Sequence, residues 1–131
     1  MKISKKSEYG LRAMIYLAKN EGKVLPLSDI SKKEKIPFHF LEKIILKLEK
    51  FGLVKAKKGF SGGYFLAKKP SQITVGKIMK ALGENQPLVE CLKYFCPKAK
   101  NCLAKNFWQR LNKAIESVLN SITLIDLIKE R

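Results

Sequence analysis

Residues 27–67 read, in one-letter code, LSDISKKEKIPFHFLEKIILKLEKFGLVKAKKGFSGGYFLA. The residue before Pro37 avoids helical angles, so one helix ends there and another begins. Gly52 ends the second helix, and the glycine-rich run further on is typical of a hairpin turn. The segment therefore predicts two helices and a hairpin, over about Leu27–Lys35, Phe38–Lys50 and strands Leu53–Lys58 and Tyr64–Ala67.

The flanking sequence predicts three more helices and a final helical turn. Ser4 can cap the first helix, which extends to about Lys19. Its apolar residues are spaced to form one stripe, Leu11, Met14, Ile15 and Ala18. A short helix capped by Thr74 is predicted over about Val75–Leu82, and a long helix over about Leu103–Ser121. Thr123 caps a final helical turn that extends to Ile128.

The order helix, short helix, turn, helix, hairpin is that of a winged helix-turn-helix. The predicted fold class is therefore mainly α with a small β-wing, followed by a long C-terminal dimerisation helix. We expect a DNA-binding domain over residues 1–82, a cysteine-bearing loop over 83–102, and the dimerisation helix with its C-terminal turn over 103–131.

Positive charge is concentrated in the first of these regions. The chain carries 27 basic and 11 acidic side chains, and residues 1–82 hold 19 and 6 of them. Such a field attracts phosphate backbones, although a lysine-rich, well-solvated surface gives the same count. The N-terminal residues predict neither a secretory signal nor a membrane span, so we expect a cytoplasmic protein with reduced cysteines and no membrane contact.

The predicted DNA contacts lie on the second and third helices and on the hairpin. Glu42 can accept from a cytosine amine and Lys43 can donate to guanine, while Lys47 suits a phosphate. Lys58, near the turn, suits a narrow minor groove. The full predicted set is Ser28, His39, Phe40, Glu42, Lys43, Lys47, Lys57, Lys58, Gly59, Ser61 and Gly62. A solvated helix face for the lysines and a surface ion pair for Glu42 remain the alternatives.

The three cysteines lie within twelve residues, at positions 91, 96 and 102. Their spacing differs from the paired cysteines of a zinc ribbon or finger. Thiolates on one loop can hold an iron–sulfur cluster, with one position left for another group. Zinc, a reactive thiol switch and the absence of any ligand stay open.

Motifs along nearly the whole chain resemble the Rrf2 family of bacterial regulators, which includes the IscR, NsrR and RirA types. The matching segments are Glu8-Tyr9-Gly10-Leu11-Arg12-Ala13, Leu27-x-Asp29-Ile30-Ser31, Phe40-Leu41-Glu42, Gly52-Leu53-Val54, Gly59-x-x-Gly62-Gly63-Tyr64 and Ile122-Thr123-Leu124-x-Asp126-Leu127. The resemblance implies a homodimer, joined largely by the long C-terminal helix, on a pseudo-palindromic operator of double-stranded DNA. It also implies a 2Fe–2S or 4Fe–4S cluster that senses cluster supply, iron, nitric oxide or redox state.

The resemblance also assigns individual residues. Cys91, Cys96 and Cys102 match the ligand cysteines, and Lys58 stands where IscR-type members have a minor-groove arginine. Those members have a histidine ligand where this chain has Lys105, a poor ligand, so the fourth ligand does not carry over. Glu8 matches a carboxylate ligand that other members supply from the partner subunit.

The long helix is predicted to form the dimer interface. Its apolar face is longer than a domain of this size can readily cover, so a second copy of the helix is the natural partner. That face is formed by Leu103, Phe107, Leu111, Ile115 and Val118. Packing back on the first helix of the same chain is the rival arrangement.

The sequence carries no phosphate-binding loop, nucleophile–base pair or carboxylate dyad, so no enzymatic function is predicted. The leading prediction is a transcription regulator, acting as a repressor, whose operator binding a cluster switches. A regulator of the same fold that answers to thiol oxidation or a protein partner, and a basic RNA-binding protein, are the other two hypotheses.

Overall fold

The computed structural model describes residues 2–84, 87–89, 92 and 102–130. Within these ranges the helices are α1 (Lys5–Lys19), α2 (Leu27–Glu34), α3 (Phe38–Lys50), α4 (Val75–Ala81), α5 (Leu103–Ser121) and α6 (Leu124–Lys129). The strands are β1 (Val54–Lys57) and β2 (Gly63–Leu66), and one 3-10 turn covers Pro70–Gln72. The predicted order of elements, and so the winged-helix fold, is confirmed; the 3-10 turn was not predicted.

The core lies between α1, α2, α3 and α4, with one residue of α6 added from the C-terminal side. Its fully buried side chains include Met14, Ile30, Leu41, Ile44, Leu48, Ile78 and Leu124. On the side of α4, the buried side chains are Ile78, Met79 and, directly after the helix, Leu82.

The predicted stripe of α1 is partly wrong. Met14 and Ala18 are buried, but Leu11 and Ile15 are only half-buried, and the buried face continues instead through Gly10, Ala13 and Leu17. Gly10 is buried because α4 lies so close that a Cβ there would collide with the Leu82 side chain. Small residues such as Gly10 and Ala13 thus help to decide which face of α1 turns toward the core. The spacing of the large apolar residues alone did not predict that face correctly.

The wing is attached to the linker between α1 and α2. β1 and β2 pair antiparallel, with Val54 opposite Leu66 and Lys57 opposite Gly63. Leu25 and Tyr64 exchange two backbone hydrogen bonds, of 2.9 and 2.8 Å, which add the linker to the edge of β2. The linker therefore holds the hairpin at the start of β2, next to the turn, and the turn residues extend beyond the paired strands.

The C-terminal helices attach beside α4. The Val75 N–H donates to the Ile122 carbonyl and the Leu124 N–H donates to the Ile73 carbonyl, each at 2.9 Å. Thr123 caps α6 as predicted, and it also forms a reciprocal capping box with Asp126. The preceding helix, α5, packs mainly on α4, yet none of its residues is buried by the described part of the chain.

Candidate nucleic-acid interface

One face of α3 is exposed along its whole length. Its buried face holds Leu41, Ile44, Ile45 and Leu48. The opposite face repeats at helical spacing and presents His39, Glu42, Lys43, Leu46, Lys47 and Lys50 to solvent. All of the side chains predicted for base or phosphate contact on α3, except Phe40, lie on this face. Leu46 was missed by the sequence analysis, although its spacing from Glu42 and Lys43 places it between them and Lys50.

Phe40 has a different environment from the other predicted contacts. It is half-buried, and its ring meets the ring of Tyr9 edge-on, with centroids 5.5 Å apart. Arg12 lies over the same tyrosine, 5.6 Å from its centroid, and its Nε atom is 3.5 Å from Glu34 Oε1. This chain of contacts connects α1, α2 and α3, so Phe40 orients the exposed face of α3 from within the domain.

A lysine cluster, formed by Lys6, Lys47 and Lys50, lies where α1 meets the second half of α3. The pKa of Lys47 is held below its ordinary value by the close approach and charge of the Lys6 side chain and by the charge of Lys50. Ammonium groups held this close repel one another and favour an anion between them. Lys6 was missed because its neighbours in the cluster are more than 40 positions away in sequence.

The wing turn carries the remaining predicted contacts. Lys57, Lys58, Gly59 and Ser61 are exposed and Gly62 is half-buried. Gly59 has a φ of +109°, and the Gly62 N–H donates to the Gly59 carbonyl at 3.0 Å, which closes a β-turn. Phe60 stands between them and was not among the predicted contacts. The last predicted contact, Ser28, is exposed in the first turn of α2.

The described part of the predicted cluster site consists of Cys102 and Glu8, because Cys91 and Cys96 lie outside the described residues. Cys102 is the N-cap of α5 and is half-buried. Glu8 is exposed in the first turn of α1, with its Oε2 atom 3.7 Å from Lys5 Nζ. Within the described ranges no three histidine, cysteine or acidic side chains lie close enough to hold a metal ion.

These donors suit an iron–sulfur cluster in their chemistry. A cysteine binds iron through its thiolate sulfur. A carboxylate is a weaker iron ligand that can complete a set of three thiolates. Lys105, one turn into α5, carries no such donor.

A contact between the start of α1 and Glu84 lies beside this region. Glu84 Oε1 accepts the Ser4 N–H at 2.7 Å. Hydrogen bonds from the side chain and the backbone N–H of Ser4 hold the pKa of the Glu84 carboxyl below its ordinary value. Ser4 is the N-cap of α1, and its hydroxyl donates to the Ser7 hydroxyl. Ser7 stands where a capping box has Glu or Gln, and its side chain is shorter than theirs. Glu84 therefore supplies from a distant position the carboxylate that a capping box normally takes from within the helix.

The predicted dimerisation face of α5 is exposed in the single chain. Leu103 is 83% exposed, and Phe107 and Val118 are each exposed by more than half, while Leu111 and Ile115 are half-buried. The rival arrangement, in which this face packs on α1, is not adopted, because the main contact of α5 is with α4.

A family profile described as an iron-dependent transcriptional regulator, Rrf2, matches residues 3–130. The chain belongs to the Rrf2 family. The resemblance seen in the sequence is thereby confirmed, and the protein is a member of a family of transcription regulators.

Individual Rrf2 relatives match over the full length of the chain. The transcriptional regulator IscR of Serratia proteamaculans is 36% identical over 134 residues, covering 100% of this chain and 81% of the relative. The structure of CymR, named as the global cysteine regulator of B. subtilis, has a TM-score of 0.84 at 38% identity, with 98% and 96% of the two chains covered. The structure of IscR from T. potens has a TM-score of 0.80 at 37% identity, with 98% and 87% covered.

Among the described residues of this Rrf2 chain, no helix is both long and apolar enough to cross a bilayer.

Proposed function

We propose that this Rrf2 protein is a homodimeric, sequence-specific DNA-binding repressor whose affinity for a pseudo-palindromic operator is switched by an iron–sulfur cluster. The observation that carries the DNA-binding part is the continuous exposed face of α3, flanked by the lysine cluster and the wing. A helix presented in this way fits the major groove, and lysines at its two sides fit the phosphates on either edge.

The side chains of α3 divide by position along the helix. His39, Glu42 and Lys43 lie in its N-terminal half, where a recognition helix reads base edges. Lys47, farther along and beside Lys6, contacts phosphate. Leu46 lies between the two groups and presents an apolar surface of the kind that meets a thymine methyl group.

The wing and α2 complete the footprint. Lys57 and Lys58 approach the backbone or minor groove, and Gly59, Ser61 and Gly62 allow the turn to come close to the DNA. Ser28 in the first turn of α2 donates to a phosphate on the other side of the groove.

The dimer is proposed from the exposed face of α5. A helix this amphipathic, with large apolar residues left in water, is stabilised by burying them against a second copy. A two-fold dimer then presents two copies of α3 at a spacing of about one helical turn of DNA, ~34 Å.

The cluster is proposed as 2Fe–2S or 4Fe–4S, with Cys91, Cys96 and Cys102 as thiolate ligands and Glu8 of the partner subunit as the fourth. When bound, it supplies sensitivity to iron, nitric oxide or redox state. Cys102 holds the start of α5, and Glu8 belongs to the first turn of α1. The four ligands would thus connect the DNA-binding domain of one subunit to the dimerisation helix of the other. The family description as iron-dependent supports this proposal.

A regulator of the same fold without a cluster is the second candidate. It is favoured by the similarity to CymR, which is named as a cysteine regulator. In that case the cysteines respond to thiol oxidation, or the protein responds to a partner.

Two measurements test the proposed function. Protein purified without oxygen should contain iron and sulfide and absorb visible light, and Cys→Ser changes at positions 91, 96 and 102 should each remove the iron. Glu8→Ala should leave assembly intact but speed iron loss, while Lys105→Ala serves as the matched control with no effect. Colourless, iron-free protein whose DNA binding responds to thiol oxidants would favour the second candidate.

DNA recognition is tested by selecting tight-binding duplexes from a random-sequence pool with the anaerobic dimer. The selected sites should be pseudo-palindromic, and Glu42→Ala should change base preference at one position of each half-site by about 1–3 kcal/mol. Equal or tighter binding to RNA of the same sequences would instead support the RNA-binding hypothesis.

A further inference from the structure

We propose that Phe60 is an apolar wedge that the wing inserts into the minor groove, partly unstacking a flexible base step. The inference rests on the proposed DNA binding and adds a contact and a source of specificity to it. No contact predicted from the sequence involves this ring.

The first observation is the exposure of Phe60. Its exposed fraction is 111% of the reference value for a free residue, the highest of any large apolar side chain among the described residues. An isolated aromatic ring in water gives up the stabilisation that burial would bring. The wing gains nothing internally from this ring, since it touches no neighbour that would shield it.

The second observation is the geometry of the turn that carries the ring. Phe60 is the second residue of the β-turn that the Gly62–Gly59 hydrogen bond closes. A Cβ on Gly62 would lie 2.8 Å from the Gly59 carbonyl oxygen, and Gly59 requires a positive φ. The two glycines therefore keep the tip narrow and fix Phe60 at its apex.

The third observation is the charge around the ring. Residues 50–83 contain eight lysines and no acidic residue. Lys57 and Lys58 directly precede the turn, and both are exposed. An apolar tip flanked by the exposed Lys57 and Lys58 is complementary to a polyanion with an apolar interior, which describes stacked base pairs behind two phosphate backbones. It is a poor match for a neutral apolar groove of another protein.

The physical consequence is a preference for deformable DNA. Apolar side chains wedged from the minor groove unstack a step and bend the duplex. Pyrimidine–purine steps such as TA unstack most easily, while A-tracts are stiff. The position opposite the wing should therefore favour TA or CA over AA even though no hydrogen bond reads it.

The test compares variants on two duplexes taken from the selection described above, identical except for a TA or an AA step at the wing position. Phe60→Ala should lower affinity for the TA duplex about tenfold or more, as expected for loss of one base–aromatic contact. It should affect the AA duplex less and leave the salt dependence of binding unchanged. Lys58→Ala should weaken both duplexes and shallow the log–log salt slope by about 0.9.

A 2-aminopurine base at the step reports the unstacking directly. Its fluorescence should rise on binding of the wild-type protein and of Phe60→Leu, but not of Phe60→Ala. Phe51→Ala removes another exposed aromatic residue outside the wing and should behave as the wild type.

The outcomes separate the two levels of inference. If the wild type selects specific duplexes and Phe60→Ala binds the TA and AA duplexes as tightly as the wild type does, the wedge is wrong and the proposed function stands. A uniform loss on both duplexes without a 2-aminopurine signal also overturns the wedge, since the ring then only touches the backbone. If the wild type selects no duplex, both proposals fail together.

Discussion

Replacing Gly63 with alanine should detach the wing from the body of the domain. A Cβ at this position would lie 2.7 Å from Pro26 N and closer still to the Leu25 carbonyl. All of these atoms are backbone, so no side-chain rotation can relieve the overlap, and the strand must move away from the linker.

The size of the effect follows from what that movement breaks. The Leu25–Tyr64 bridge contributes two backbone hydrogen bonds, each worth about 1 kcal/mol. Losing both lowers the free energy of unfolding by about 2 kcal/mol. At this chain length, about 4 °C of melting temperature corresponds to 1 kcal/mol, so we expect a fall of about 8 °C. Since Lys57 and Lys58 move with the strand, the salt slope of DNA binding should also shallow by about 2.

The assay is thermal unfolding followed by circular dichroism, together with DNA binding at several salt concentrations. Gly22→Ala is the matched control: Gly22 has a φ of +88° but nothing within 4 Å of a built Cβ. It should cost only the strain of a left-handed residue, about 1 kcal/mol, and leave DNA binding unchanged. Equal melting temperatures for the two variants, or an unchanged salt slope for Gly63→Ala, would refute the reasoning.

Three further results are expected. Glu84→Gln should lower the free energy of unfolding at neutral pH, measured by urea unfolding. The folded wild-type protein lowers the pKa of the Glu84 carboxyl from 4.5, so the wild type should be the more stable of the two above that pH. The difference should disappear as the pH falls through the lowered pKa. A pH-independent difference would contradict it. Lys47→Gln should shallow the salt slope of DNA binding by about 0.9, whereas Lys113→Gln on α5 should not; equal slopes would remove Lys47 from the phosphate contacts. Phe107→Asp should give a monomer in sedimentation experiments, while Gln109→Asp, on the other side of α5, should remain dimeric; a dimeric Phe107→Asp would show that another surface holds the subunits together.

The positions of the helices were predictable because their ends depend on local chemistry. Ser4, Thr74 and Thr123 each cap the helix expected of them, and their hydroxyls accept backbone N–H groups three residues ahead. Such caps need no knowledge of the rest of the chain.

Contacts between distant residues were not predictable in the same way. Gly10 is buried because Leu82 lies against it, and Gly63 is required because the Leu25 backbone lies against it. A glycine in the sequence permits another part of the chain to approach closely, but it does not show which distant atoms do so. The same limit explains why Lys6 was not assigned to the lysine cluster.

The sequence analysis missed one exposed apolar side chain on α3, Leu46, and one on the wing, Phe60. The exposed face of α3 follows from its buried face by helical periodicity alone. Phe60 was overlooked because an aromatic residue in a turn ordinarily suggests partial burial, and only the geometry of the closed turn places it at the apex.

The attachment of α5 has a mechanical consequence. The helix is held near its C-terminal end, where Leu119 and Asn120 lie against Gly76 and α6 returns to the core. Its other end, at Cys102, is 19 residues away, about 28 Å along the axis. A rotation of about 5° about the contact with Gly76 would displace the far end of α5 by roughly 2.4 Å over that length. Conversely, a small displacement imposed at Cys102 becomes a rotation at α4, which packs directly on α1 and α3.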